Sequence, residues 1–183
     1  MYSGRRIVWV MVMGLLLMMV GATVACADGP DVNGAVTLKA NPAAAVNFAW
    51  TLLCGFLVFF MQAGFAFVEA GFCRAKNTVN ILTKNFMDFC IGGLAYWAFG
   101  FAVMFGGSRL APGLETGTSW VGLSGFFLTG SAYDVTTNMF WMFQMMFAAA
   151  SATIVSGAMA ERTKITAYMA YSFLISAIIY PIF

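Results

Sequence analysis

After Asn47 the chain alternates between long apolar runs and polar links, with runs at 48–72, 86–105, 139–160 and 165–183. Each approaches the ~20 residues that a helix needs to cross the hydrocarbon core of a bilayer. A membrane barrel would instead show strands of about ten residues alternating between apolar and polar positions. The pattern predicts an all-α membrane protein, a polytopic helix bundle with four spans in residues 47–183.

An earlier apolar stretch, Ile7 to Val20, is different in kind. Arg5 and Arg6 precede it, and "ATVACA" follows with small residues at Ala25 and Ala27, the A-x-A pattern of signal-peptidase cleavage. Its core of about 14 residues is short for a full span. Residues 1–27 read as a cleaved secretory signal, with an uncleaved anchor as the alternative, and 28–46 as a short polar extracytoplasmic lead-in.

Charge gives the spans a direction, because short cytoplasmic loops collect Lys and Arg. Arg74, Lys76 and Lys84 fall between the first and second runs, Arg162 and Lys164 between the third and fourth, so both links are expected inside. The link 106–138 has Arg109 as its only cation and is rich in Gly, Ser and Thr. It reads as an external loop with one short helix around Trp120 to Leu128. Trp50 and Trp141 then sit at the outer ends of the first and third spans, where indoles favour the interface. The expected location is the cell (inner) membrane, with the N-terminus extracytoplasmic after cleavage.

Polar residues within the runs carry more information than the apolar ones. In "FMQAGFAFVEAGFCRAKNTVN" (60–80), Gln62 and Glu69 are seven residues apart and share a helix face, as do Gly64 and Gly71. A polar edge and a small-residue edge both predict a helix enclosed by other helices. A carboxylate facing lipid would cost several kcal/mol, so Glu69 is expected to face protein or the aqueous mouth. Pairing with a basic loop residue and a direct role in conduction are both open for it. Asn80, Asn85 and Asp88, at the start of the second run, are expected to bond neighbouring helix ends. In the third run, Phe143, Phe147 and Ser151 form an i, i+4, i+8 ridge. Ala149, Ala150, Ala152, Ser156, Gly157 and Ala158 supply small surfaces for close helix approach. The ridge fits a constriction or ordinary packing.

Composition narrows the function. With 62% hydrophobic and 9% charged residues, an ordinary soluble domain is excluded, and a scattered net charge of +2 gives no nucleic-acid patch. The four cysteines show no CxxC spacing, so neither zinc nor a disulfide frame is expected. Histidine is absent, which removes the commonest proton shuttle and metal ligand from these residues. No nucleophile–base pair, HExxH or glycine-rich phosphate loop occurs, so no enzyme, metal site or cofactor is expected. A channel or transporter remains, with its solute unnamed.

Two longer strings go further: "MQAGFAFVEAGFCRAKNTVNILTKNFMDFCIGGLAYWAFGFAVMFG" (61–106) and "TTNMFWMFQMMFAAASATIVSGAMAERTKITAYMAYSFLISAIIYPIF" (136–183). They resemble the ammonium transporter family, which includes the Rhesus-type proteins. The resemblance implies a homotrimer of eleven-helix subunits with two inverted halves, of which these residues are the first four transmembrane helices. It implies nitrogen uptake by ammonium or ammonia transport, with an external cation site lined by aromatics, a gate of stacked phenylalanines, and a hydrophobic pore holding two facing histidines. Carried over residue by residue, it places Phe143 and Gln144 around the external vestibule, Phe147 as the first ring of the gate, and Val68 and Glu69 near the cytoplasmic pore exit. It also suggests a P-II type nitrogen-regulatory partner docking near 74–80 and 161–164. These residues hold no histidine and stop where the family places its vestibule Trp, an Asp, the first pore His and the second gate Phe. The expectation is an N-terminal fragment that does not transport alone. Alternatives are an ammonium sensor domain of a membrane signalling protein, or an unrelated membrane bundle.

Overall fold

A computed structural model of the chain describes residues 30–107, 114, 117–118 and 121–183. The expected signal segment 1–27, and Arg109 and Trp120 of the long link, lie outside the described residues. Four helices long and apolar enough to cross a membrane run Ala44–Phe72, Ala75–Phe105, Val135–Ala158 and Ile165–Ile182. Among the described residues the only extended pairing is an isolated bridge between Gly117 and Gly122. The protein is an all-helical, multi-pass membrane protein.

Hydrogen bonds at the helix ends fix which ends lie together. Asp134 caps the third span, its Oδ1 accepting the Thr136 N–H at 2.9 Å. Its Oδ2 accepts the Asp31 N–H at 3.1 Å, and the Val135 N–H donates to the Asp31 carbonyl at 3.1 Å. The lead-in, with a short helix Ala35–Ala40, is thereby tied to the start of the third span. At the other end, Glu161 binds Arg74. The first and third spans therefore run in one direction and the second and fourth in the other.

The second and fourth spans each contain one wide turn, a π segment at Tyr96–Gly100 and another at Ile175–Ile179. Such turns insert an extra residue into the i to i−4 ladder. In the fourth span Pro181 follows directly; it has no N–H to give the carbonyl four residues back, and the wide turn lies where that ladder is broken. The two π segments pack on each other, and a Cβ at Gly100 would overlap the Ser176 carbonyl oxygen. Only glycine allows that crossing.

The described part of the long link after Val121 folds back over the second span. The Gly122 N–H donates to the Val103 carbonyl (2.8 Å) and Ser124 Oγ to the Gly106 carbonyl (2.5 Å). Leu114 and Leu128 complete a core with Tyr96, Phe101 and Phe105. Phe127, at φ 57, edges onto the Trp97 ring at 5.3 Å. The helix expected around 120–128 is, among the described residues, one short 3-10 turn at Phe126–Leu128.

Three further expectations differ from the structure. The helix of the second span starts at Thr78, eight residues before the apolar run, and its first two turns bury Ile81, Lys84 and Asn85. Lys84, counted with the link between the first two runs, is accordingly inside the span and buried. Gly64 and Gly71 would have nothing within 4 Å of a Cβ, so no helix of this chain approaches closely there.

Candidate functional site

Gly55, Gln62 and Glu69, spaced by seven, form the stripe by which the first span meets its neighbours. A Cβ on Gly55 would lie 3.8 Å from Phe143 Cδ2, so the first and third spans approach closely at that level. Phe143 and Phe147 stack edge to face with centroids 5.2 Å apart, both half-buried, and Gln144 is half-buried beside them. The sequence ridge is thus a contiguous aromatic surface on the third span. A cleft of ≈ 650 Å³ opens at the Asp134 end, lined by Leu52, Trp97, Phe127, Tyr133, Asn138 and Trp141 among others. Neither Phe143 nor Gln144 is among its lining residues.

Toward the opposite end a buried polar seam joins all four spans. Glu69 Oε2 accepts from Asn85 Nδ2 and from Ser156 Oγ, each at 3.0 Å. Gln62 Nε2 donates to Thr153 Oγ1 at 2.5 Å, and Thr153 Oγ1 donates to Asp88 Oδ2 at 2.6 Å. Ser172 of the fourth span donates to Asp88 Oδ1. Lys84 Nζ donates to the Ser156 carbonyl at 3.0 Å, in the last turn of the third span, where freed carbonyls favour a cation. The Lys84 ammonium also lies 4.8 Å from the Tyr168 ring centroid, within cation–π range. Every bond here replaces water that the bilayer does not supply.

Glu69 and Val68 part company. Glu69 is buried in the seam, while Val68 is exposed on the other side of the helix. The basic partner considered for Glu69 is not one of its hydrogen-bond partners; those are the Asn85 amide and the Ser156 hydroxyl. Likewise Asp88 binds the Thr153 and Ser172 side chains within two spans rather than helix-end backbone. Gly157, next to the Glu69 carboxylate, stands 14 residues from Phe143 on the same helix, which at ~1.5 Å per residue separates seam from ridge by about 20 Å.

The loop arginine instead meets Glu161. Glu161 Oε1 accepts the Arg74 N–H (2.9 Å) and Asn77 Nδ2 (2.8 Å), and Oε2 accepts Arg74 Nε (2.9 Å). Glu161 takes φ 62 to do so, an unusual left-handed conformation for a residue with a side chain. The Asn77 amide, then the Arg74 N–H, hold its carboxyl below the ordinary carboxylate range. This clasp joins the two turns that carry the loop cations Arg74, Lys76, Arg162 and Lys164.

The sequence profile of the Ammonium Transporter Family matches residues 49–183, all four spans apart from the first helix's opening residues. The chain belongs to the ammonium transporter family. It is 49% identical over 183 residues to the ammonium transporter Amt2 of Archaeoglobus fulgidus, covering 98% of this chain and 35% of that relative. It is 42% identical over 139 residues to ammonium transporter Amt2 of Haloferax mediterranei (75% of this chain, 30% of the relative). It is also 40% identical over 147 residues to ammonium transporter 1 member 3 of Solanum lycopersicum (79% and 29%). The chain thus spans about a third of the length of these curated relatives. They are transporters rather than enzymes, and so is the family.

Within this ammonium transporter family member, sequence reasoning missed the seam as a unit. Asn85 and Asp88 were visible as polar residues in an apolar region, and Lys84 as a basic one. Thr153, Ser156 and Ser172 read only as small residues. A signal did exist: Ile81, Lys84, Asn85, Asp88 and Gly92 recur at three- and four-residue steps, which is one buried helix face.

Proposed function

We propose that the chain serves the transport of ammonium or ammonia across the cell (inner) membrane, in nitrogen uptake. The observation that carries this is the family match across residues 49–183. In this reading Phe143 and Gln144 border the external vestibule, Phe147 is the first ring of a phenylalanine gate, and Val68 and Glu69 lie toward the cytoplasmic exit. A desolvated ammonium ion is costly in a dry pore, and aromatic faces offset up to ~2 kcal/mol of that where water is excluded. Losing the proton lowers the barrier further, and potassium has no proton to lose. The edge-to-face pair at 5.2 Å supplies the ring surface on one wall. The opposite wall, with the facing histidines of an eleven-helix inverted-repeat subunit, lies outside these residues.

A homotrimer agrees with the first span, whose Phe56, Leu57, Phe60 and Phe67 are uncovered by this chain. The exposed Arg74, Lys76, Arg162 and Lys164, gathered at one end by the Glu161 clasp, suit a cytoplasmic P-II type partner. Reconstituted in liposomes, these 183 residues alone are expected to give no methylammonium uptake above empty vesicles. The complete open reading frame is expected to give uptake that Phe147→Ala reduces or makes leaky to potassium. Uptake by the complete protein that neither Phe143→Ala nor Phe147→Ala alters removes the gate from this reading, and no uptake at all removes transport.

A further inference from the structure

The first span buries a glycine and leaves large apolar residues beside it uncovered. Gly55 is buried, whereas Phe56 and Leu57, the next two residues, are 52% and 62% exposed. Apolarity does not select that face, since lipid is as apolar as a neighbouring helix. What the glycine provides is proximity. A Cβ at position 55 would lie 3.9 Å from Phe143 Cα and 3.8 Å from Phe143 Cδ2, with Met142 Cε also at 3.9 Å. The contact is therefore with the backbone of the third span as well as with the ring.

The second span meets the same stretch from the far side of the helix, at ~100° per residue. A Cβ at Gly92 would lie 3.8 Å from Ala149 Cα, and one at Gly93 3.4 Å from Met145 Sδ. Residues 142–149, which carry Phe143 and Phe147, are thus approached closely on opposite faces. Bulk at position 55 has two outlets: the Phe143 ring turns, or the third span moves toward glycines that already touch it. Either displaces Phe143 and disturbs its edge contact with Phe147 at 5.2 Å.

We propose that Gly55 is a positioning residue for transport, its missing side chain setting where the Phe143 ring stands. This rests on the reading of Phe143 as a wall of the external vestibule. Cation–π attraction needs the ion within ~6 Å of the ring centroid, so a ring displaced by roughly 1–2 Å holds it less well. The first span then helps to set affinity without touching the solute.

The test follows the concentration dependence of methylammonium uptake by the complete protein in liposomes. Gly55→Leu is expected to raise KM about five- to tenfold, the size of one cation–π contact, with a smaller fall in maximal rate. Gly55→Ala adds an ordinary contact and is expected to give a smaller rise. Gly64→Leu, on the same helix where a Cβ meets nothing within 4 Å, is expected to give none. In a Phe143→Ala background Gly55→Leu is expected to raise KM no further, because the ring it acts through is gone. The same cycle is read without transport in the thermal unfolding midpoint of these 183 residues in lipid nanodiscs. There Gly55→Leu is expected to lower the midpoint of the parent, and that of Phe143→Ala by less. Gly55→Val takes the place of Gly55→Leu where the latter fails to fold. A fall in maximal rate with KM unmoved marks a merely structural glycine and overturns the inference. So does an equal rise in Gly64→Leu, or additive effects of the two substitutions in KM or in the midpoint. No uptake by the complete parent overturns the transport reading and the inference with it, whereas parental uptake with an unmoved KM in Gly55→Leu overturns the inference alone.

Discussion

The first and second spans are both apolar enough to cross a membrane, yet this chain covers them very differently. In the most apolar 18-residue window of the first, 11% is buried; in that of the second, 50%. The first is the greasier helix and the less covered one. Between lipid tails and leucines there is no hydrophobic drive, so helix contacts in a bilayer are decided by small residues and hydrogen bonds. The first span has one such stripe, Gly55, Gln62 and Glu69, and leaves Phe60 72% exposed. The second turns a whole polar face inward through Lys84, Asn85, Asp88 and Gly92. Apolarity shows that a segment enters the membrane, and polarity within it shows where it meets protein.

Removing Asp88 should break this contrast most severely. Asp88→Ala takes the acceptor from Thr153 and Ser172 and leaves both hydroxyls without it in a dry interior, a loss of about 1–3 kcal/mol for each buried donor left unsatisfied. Phe60→Ala, on the uncovered side of the first span, should fall within about 0.5 kcal/mol. Chemical unfolding in detergent micelles compares the two directly. Similar losses would mean that burial in the four spans does not decide stability.

Glycine substitutions sharpen the same comparison with opposite signs. Gly100→Ala forces a methyl onto the Ser176 carbonyl where two wide turns cross, and overpacking of that kind costs about 1–3 kcal/mol. At Gly64 a methyl meets nothing, so Gly64→Ala should stabilise by up to about 1 kcal/mol through helix propensity alone. Unfolding midpoints of the two variants should move in opposite directions from the parent. A loss at Gly64 would show that another helix packs there in the complete assembly.

Four spans were legible because each is a long apolar run, and their alternation because Lys and Arg gather in two short links. The aromatic ridge was legible because Phe143 and Phe147 are one turn apart and no distant residue is needed to make them touch. The seam was not, because Glu69 meets Ser156 across 87 residues of sequence and Asp88 meets Ser172 across 84. The wide turns were hidden as well; Pro181 hints at one, but nothing within "YWAFG" announces the other. The early start of the second helix was obscured by the residues that give it meaning, since hydropathy discounts Lys84 and Asn85 for being polar.

The surface ties at the two ends of the bundle give the smallest effect, and one with a definite sign in pH. At one end Thr37, through its backbone N–H above all, holds the Asp31 carboxyl below its ordinary range. At the other the Asn77 amide does the same for Glu161. A carboxylate whose folded value lies below its unfolded one contributes stability that is complete above the unfolded value and is lost as pH falls through the folded value. Acidification from neutrality should therefore leave both ties intact until the pH passes below the ordinary carboxylate range, and then release them. The Thr37 and Arg74 amide resonances, followed by NMR in micelles, report the two ties separately. Asp31→Asn should remove the transition at Thr37 and leave that at Arg74. Because both carboxylates lie near the surface and are screened by salt, global unfolding should scarcely move. A transition at or above the ordinary carboxylate range would reverse the sign and remove these hydrogen bonds as the cause.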